Sequence, residues 1–492
     1  MNNRNMKLLA YDLGASNGRA ILGRLSGGRI DIKEIRRFPN NPVWTPTHLY
    51  WDTFGLLHEL QQALIDCNNE TGALPDSIGI NAWGVGLGLI DEDGDLVFSP
   101  VHYRDVSRNE IVSEMEKHIS LEQIFYKTGY NMISSIESVY HLFEKKPKII
   151  KAANSILFTP DLLGFFMCGN RYAERSICST SKLLDNETGE WSLEIMSALG
   201  IDPDYFPDVI EPGTLAGKIL PAILEEIGLK GSVNVVAVAG HDTASAAAAV
   251  PAVEDEFAYI SCGTWSVVGT PAPKAIRSKE VFRNNGSYDC SVNGGTDMRI
   301  NMTGLWIVQE IKRRLSLIGQ DFSYPELNQL AADAAPFISV IDPDAEIFFH
   351  PGNMDENVRQ FCRESGQRVP ESVGEVCRVV LESLALKYRY TVDRMERMLS
   401  KKLPVVYMIG GGTQNEPLCR FTASACQRPV KAGPVEATVL GNLLMQAKAM
   451  GAVKSVDEGR GLIRASCEVK NYSPQDSGMW ERQYDIAKSI FK

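Results

Sequence analysis

The chain is 492 residues long, 44% apolar and 23% charged, with a net charge of −11. Its length admits two or three domains of usual size, and its acidity argues against a broad nucleic-acid or anionic-membrane surface. No apolar run approaches the roughly 20 residues that span a bilayer, and MNNRNMK leads straight into a strand pattern without the apolar core of a signal peptide.

Lys7–Asp12 reads as a short buried strand that breaks at Leu13-Gly14-Ala15-Ser16. Arg19–Leu25 and Ile30–Phe38 follow, joined through Ser26-Gly27-Gly28, and strands linked this tightly form an antiparallel meander. Asp52 caps a helix with Leu56, Leu57, Leu60, Ala63 and Leu64 on one face. Ile78–Trp83 returns as a strand, and Leu87–Ile90 with Leu96–Phe98 make a hairpin around an acidic turn. Helical patterns at Ser135–Phe143 and Asp161–Cys168 fill out this half.

The second half opens in a similar way. Val233–Ala239 is a β-branched strand that breaks at Gly240-His241-Asp242-Thr243 into the alanine-rich helix Ala244–Ala249. The acidic stretch around Val250–Glu256 marks a boundary, giving domains of residues 1–248 and 249–492. Short strands at Phe257–Ser261, Ser266–Gly269 and within Phe282–Asn301 precede helices at Gly304–Leu315 and Pro370–Leu399. The apolar strand of VVYMIGGGTQ (Val405–Gln414), a helix over Asn415–Gln427, Val430–Ala432 and a helix over Glu436–Met450 close the series. Each half thus runs meander, helix, strand, helix, and each contains a strand that ends on Asp. Two mixed-sheet α/β domains facing across a cleft is the architecture this order predicts.

Four stretches carry candidate chemistry. In DLGASNGR, Asp12 ends a strand where it can hold a hydrated Mg²⁺, small residues follow that can wrap phosphate oxygens, and Arg19 adds charge. A hairpin turn with a capping Asp is the plain alternative. Asp242 stands at a strand end and a helix start, as a general base toward a substrate hydroxyl would, although an N-cap aspartate reads the same way. Ser261-Cys262-Gly263-Thr264-Trp265-Ser266 repeats the strand, glycine, hydroxyl pattern as a second phosphate cradle, or else a bulge with a buried Trp. Gly410-Gly411-Gly412, followed by Gly433-Pro434-Val435-Glu436-Ala437, leaves backbone open for an adenine and ribose. GTLAGK (Gly213–Lys218) and Gly84–Gly88 lack the spacing of nucleotide fingerprints. Taken in order, two acidic strand ends, two small-residue turns and a triple glycine point to ATP-dependent phosphoryl transfer. Ten scattered cysteines with no CxxC pair read as reduced, mostly buried thiols of a cytoplasmic protein; Cys362 with Cys377 and Cys419 with Cys426 are the pairs that oxidation could join.

DLGASNGR, WGV (Trp83–Val85), GHDTASA (Gly240–Ala246), SCGTWS, MTGLWIVQ (Met302–Gln309), GGGTQN and GPVEATVLGN (Gly433–Asn442) stand in the order found in the FGGY carbohydrate kinases. The chain resembles that family over nearly all of residues 7–450, and most closely its L-rhamnulokinase branch. The resemblance implies an α/β fold of two actin-like ATPase (ribonuclease H-like) domains flanking a catalytic cleft. It implies a kinase that uses ATP and Mg²⁺ on the C1 hydroxyl of a 6-deoxy-ketohexose, L-rhamnulose ahead of L-fuculose, with xylulose, ribulose and glycerol further off. Asp242 would be the base. Ala15, Ser16, Asn17, Gly18 and Arg19 with Thr264 would hold the ATP phosphates, and Gln309, Gly411 and Gly412 would sit at the nucleotide. Gly84, His241, Thr243 and Asn301 would line the sugar beside Asp242, and Asp12 would orient Mg²⁺ through water. Two positions depart from the family's pattern: the usual DTWGVD is Asn81-Ala82-Trp83-Gly84-Val85-Gly86 here. The loss of an acceptor at position 86 bears on sugar identity, because a site that hydrogen-bonds a hydroxyl discriminates better than an apolar one. A silent sugar or nucleotide sensor and a polymerising or chaperone ATPase are the readings from other classes; Asp12 and Asp242 argue against the first, the sugar-side motifs against the second. A homo-oligomer stays open, since surface patches need a fold.

Overall fold

A computed structural model describes residues 5–105 and 108–491. The chain forms two compact units, and they are interleaved where the sequence analysis places one boundary. Met1–Ala249, Ala272–Met298 and Ala437–Ser466 make up the first; Val250–Pro271, Arg299–Glu436 and Cys467–Lys492 make up the second.

In the first unit, β1 (Met6–Leu13), β2 (Asn17–Ser26) and β3 (Arg29–Pro39) form the expected meander. Gly27 and Gly28, both at positive φ, make the β2–β3 turn, the backbone that glycine adopts without strain. On its other side β1 pairs in parallel with β4 (Ser77–Ala82), whose six residues are all buried. Past β4 lies β5 (Thr214–Lys218) antiparallel to β6 (Asn234–Ala237), which gives the order β5-β6-β4-β1-β2-β3. The helix Thr53–Thr71 begins where Asp52 accepts from the Gly55 N–H, ends at left-handed Gly72, and buries Leu56, Leu60, Ala63, Leu64 and Cys67. The helix Ala437–Ala449, distant in sequence, belongs to the same unit. It approaches so closely that Gly23 has no room for a Cβ against Leu443, and Gly441 none against the Ser245 carbonyl.

In the second unit, β7 (Ala258–Cys262) and β8 (Trp265–Ala272) form a hairpin, with β9 (Thr296–Thr303) beyond β8. β7 runs parallel to β10 (Val406–Ile409), β10 parallel to β11 (Val430–Ala432), and β12 (Lys470–Tyr472) closes the edge antiparallel. The hairpin with two parallel strands beside it, β8-β7-β10-β11, repeats β2-β1-β4-β6 of the first unit in order and direction. This is the duplicated ribonuclease H-like sheet of an actin-like ATPase, and the repetition lies in topology. The long helix Val373–Leu399 packs here, started by a capping box between Ser372 and Glu375. All ten cysteines are free thiols, nine of them buried, and none is paired.

Candidate active site

In the first unit two strand ends are zipped together. The Ala82 N–H donates to the Gly240 carbonyl (2.9 Å), and Ala82 and His241 form a parallel bridge. That bridge brings the turn after β4 to the turn after β6. A Cβ on Gly84 would lie 3.5 Å from Thr180 Cγ2 and 3.6 Å from His241 Nε2, so Gly84, Thr180 and His241 share one wall. Asp242 opens the short helix Asp242–Ala248 with a side chain 38% exposed, and Oδ1 accepts from the Thr243 hydroxyl at 3.0 Å. Its carboxyl is raised above the usual carboxylate range, first by loss of hydration and further by Asp12, with His241 opposing. His241 stands between two acids: Nε2 is 3.5 Å from Asp242 Oδ1, and Nδ1 is 3.3 Å from Oδ2 of Asp289, a side chain only 1% exposed. These are ion-pair separations, longer than aligned hydrogen bonds.

Asp12 and Arg19 face each other across the β1–β2 pair, and Arg19 Nη2 donates to Asp12 Oδ2 at 2.6 Å. Asn81 Nδ2 donates to Asp12 Oδ1 at 2.9 Å. Behind Asn81 runs a buried polar chain. Asn442 Nδ2 donates to Asn81 Oδ1 (2.8 Å), Gln446 Nε2 to Asn442 Oδ1 (2.7 Å), and the Ser77 hydroxyl to Gln446 Oε1 (2.7 Å). Asn442 Nδ2 and Gln446 Nε2 also donate to the Gly79 and Leu9 carbonyls, both at 3.1 Å, which fixes the amides and with them the orientation of Asp12. The Ala15–Gly18 turn hangs from this pair: Gly14 N–H donates to the Asn17 carbonyl, and Asn40 pins the turn through Gly14 O and Ser16 O. Ala15 and Ser16 are exposed, while Gly18 is buried with the Phe38 ring where a Cβ would be.

Position 86 has a different explanation from a lost acceptor alone. A Cβ there would lie 2.2 Å from Thr159 Oγ1 and 3.3 Å from Trp83 Nε1, and the Thr159 N–H donates to the Gly86 carbonyl. The Thr159 hydroxyl fills the space that any side chain at residue 86 would need.

In the second unit, Thr264 Oγ1 donates to Gln309 Oε1 at 3.0 Å, and the Thr264 carbonyl accepts from the Gly304 and Trp306 N–H groups. The three glycines after β10 have three separate reasons. Gly410 has φ +84; Gly412 has no room for a Cβ against Cys262, whose Sγ would be 2.2 Å away; Gly411 faces open space. Beneath them Tyr388 Oη bonds Ser266 Oγ (2.7 Å) and nears Cys262 Sγ (3.5 Å). Gly433 and Pro434 join the same loop cluster through Gly410 N–H to Pro434 O and Gly433 N–H to Met408 O.

The first unit therefore brings together Asp12, Ala15–Arg19, Gly84, His241, Asp242 and Thr243, and the second brings together Thr264, Gln309, Gly411 and Gly412. Asn301, expected beside Gly84 and His241, is an exposed residue of β9 and belongs to the second unit. Asn442 of the GPVEATVLGN motif sits behind Asp12. Sequence reasoning missed Asp289, Glu174, Thr159 and Gln446. The only signal of them was weak, a polar residue inside an otherwise apolar or small-residue stretch.

A duplicated actin-like sheet carrying an acidic strand end, an aspartate at a helix head and a triple-glycine loop is the frame of a phosphotransferase. Profiles of the "FGGY family of carbohydrate kinases" match the chain, the N-terminal domain over residues 7–249 and the C-terminal domain over residues 258–450. The chain belongs to this family and is a sugar kinase. It is 36% identical over 477 residues to a rhamnulokinase of Bacteroides thetaiotaomicron, covering 96% of this chain and 97% of that one. A rhamnulokinase of Enterococcus faecalis is 35% identical over 485 residues, at 98% and 97% coverage. Among solved structures, a gluconate kinase from Lactobacillus acidophilus superposes with a TM-score of 0.80 at 14% identity, over 99% of this chain and 98% of that one. No helix among the described residues is long and apolar enough to cross a membrane.

Proposed function

We propose that this kinase phosphorylates the C1 hydroxyl of a 6-deoxy-ketohexose, L-rhamnulose first. Asp242 carries the reading: a part-exposed carboxylate of raised pKa at the head of a helix, beside the Gly84–Thr180–His241 wall. The near full-length relatives named rhamnulokinase support the choice of sugar. The hydroxyl proton passes to Asp242 as the C1 oxygen bonds the γ-phosphorus and the bond to the β-phosphate oxygen breaks, releasing ADP. Raised basicity makes Asp242 a better acceptor near neutral pH than an ordinary carboxylate. Gly84, His241 and Thr243 orient the sugar. Ala15, Ser16, Asn17, Gly18, Arg19 and Thr264 meet the phosphates of ATP, and Gln309 with Gly411 and Gly412 meets the rest of the nucleotide. Most of the catalysis is positioning and charge neutralisation.

Mg²⁺ fits this donor set through water. Both Asp12 oxygens already accept, one from Arg19 and one from Asn81, and no cluster of three or more His, Cys, Asp or Glu suited to a metal occurs among the described residues. Asp12 would hold the hydrated ion, which when bound neutralises phosphate charge.

The test is sugar-stimulated ADP release with Mg-ATP against L-rhamnulose, L-fuculose, D- and L-xylulose, L-ribulose and glycerol. A kcat/KM for L-rhamnulose well above the others is expected. Preference for L-fuculose would keep the kinase and move specificity to the Gly86–Thr159 packing, which is the observation that keeps this second sugar in play. No stimulation by any sugar would sink the reading.

A further inference from the structure

Glu174 ends the two-residue strand Ala173–Glu174 and is fully buried. Its carboxyl accepts four hydrogen bonds. Three are local: Ser176 N–H (2.8 Å) on Oε1, with the Ser176 hydroxyl (2.6 Å) and Ile177 N–H (3.1 Å) on Oε2. The fourth reaches 66 residues along the chain, from the Gly240 N–H to Oε2 at 2.8 Å. The Ser176 oxygen in turn accepts from the His241 N–H at 3.3 Å.

Gly240, two residues before the base, is therefore gripped on both sides, its N–H by the Glu174 carboxylate and its carbonyl by the Ala82 N–H. Gly240 has no room to spare, since a Cβ would lie 3.0 Å from Glu174 Oε2 and 3.1 Å from Pro160 Cγ. Capping the four-residue helix Arg175–Cys178 does not call for a buried glutamate. Ser, Thr, Asp or Asn caps with less side chain to order and bury. Only the longer side chain both caps and reaches Gly240. Beyond its four donors the surroundings do not favour a charge: Asp161 Oδ2 accepts the Glu174 N–H, and Tyr172, Cys178 and Cys290 lie near, with Arg175 the neighbouring cation. Burial pushes the Glu174 carboxyl up to about 7 against the pull of its donors.

We propose that Glu174 is the positioning residue of the base-bearing turn, fixing Gly240–His241 so that Asp242 projects toward the sugar hydroxyl. The proposal rests on Asp242 being the base. Glu174→Gln keeps the volume but puts an NH₂ against N–H donors, and Glu174→Asp keeps charge and cap but falls short of Gly240. Both variants should lower kcat on the order of 10- to 100-fold, as an ångström of misplacement does. KM for Mg-ATP should stay within about twofold and the thermal midpoint close to wild type. Hydrogen exchange of the Gly240 amide should quicken at least about tenfold as its bond is lost. Wild-type exchange at Gly240 in both variants would overturn the clamp, whatever the activity. Fast exchange with wild-type kcat, or a kcat loss matched by loss of folded protein, would overturn the positioning role. A wild-type chain that phosphorylates no ketose fails the functional reading itself, and with it the catalytic half of this one. The exchange measurement still decides the clamp.

Discussion

The two units repeat one sheet order but prepare their turns in opposite ways. In the first, small-residue turns are backed by buried polar side chains: Asp12 by Arg19 and the Asn81–Asn442–Gln446 chain, His241 by Asp289, Gly240 by Glu174. In the second, the turns are shaped by missing side chains, with Gly410, Gly412 and Gly304 packed against the β7–β8 backbone and Cys262. A reacting carboxylate has to be held in place, so its unit invests in directional bonds, which lose their worth when misaligned. A nucleotide cradle offers backbone instead, and glycine is what lets a ligand approach it. On the proposed roles, the same topology supports one unit built around a base and another built around a nucleotide loop.

The largest test of this contrast is Asp242→Ala. It should lower kcat by roughly 10²–10⁴-fold with ATP affinity little changed, measured by coupled ADP release and nucleotide titration. An active variant would deny Asp242 the role of base. Next comes the glycine pair. Gly412→Ala drives a methyl to 2.2 Å from Cys262 Sγ and should cost about 1–3 kcal/mol of stability by overpacking. Gly411→Ala enters open space and should change stability by less than about 0.5 kcal/mol, acting on KM for ATP alone. Equal destabilisation of the two, read by denaturant unfolding, would contradict the packing account.

Smaller is the Gly86–Thr159 coupling. Gly86→Asp alone should lose about 1–3 kcal/mol against the Thr159 hydroxyl, and adding Thr159→Ala should recover most of it, since the remaining Thr159 Cβ is 3.4 Å away. Additive effects in that double-mutant cycle would mean the two positions do not share the space. The smallest effect is on pH. Asp242 must be ionised to accept a proton, so activity falls as pH drops through its raised value. His241 pulls that value down, so His241→Gln should move the acid limb of kcat upward, by up to about one pH unit. An unmoved or lowered limb would deny His241 that electrostatic role.

What local chemistry decides was legible in the residues. The β1–β2–β3 meander follows from alternation and a double glycine, the Thr53–Thr71 helix from its cap and its apolar face, and the strand ends ahead of Gly14, Gly240 and Gly410 from abrupt runs of small residues. These signals act over a few residues, where dihedral preference and side-chain period are set. Gly433–Asn442 could be read only as a helix cap near a nucleotide. Folding puts Asn442 against Asn81, 361 positions away, where it steadies Asp12. Likewise nothing in NAWGVG reveals that Thr159 has taken the space at Gly86, or in AERS that Glu174 reaches Gly240. Sequence alone determined which segments become strands, helices and turns and which residue types meet a phosphate or a proton. Tertiary structure decided what stands behind those residues, because a hydrogen bond is fixed by distance and direction in space and leaves no period in the chain.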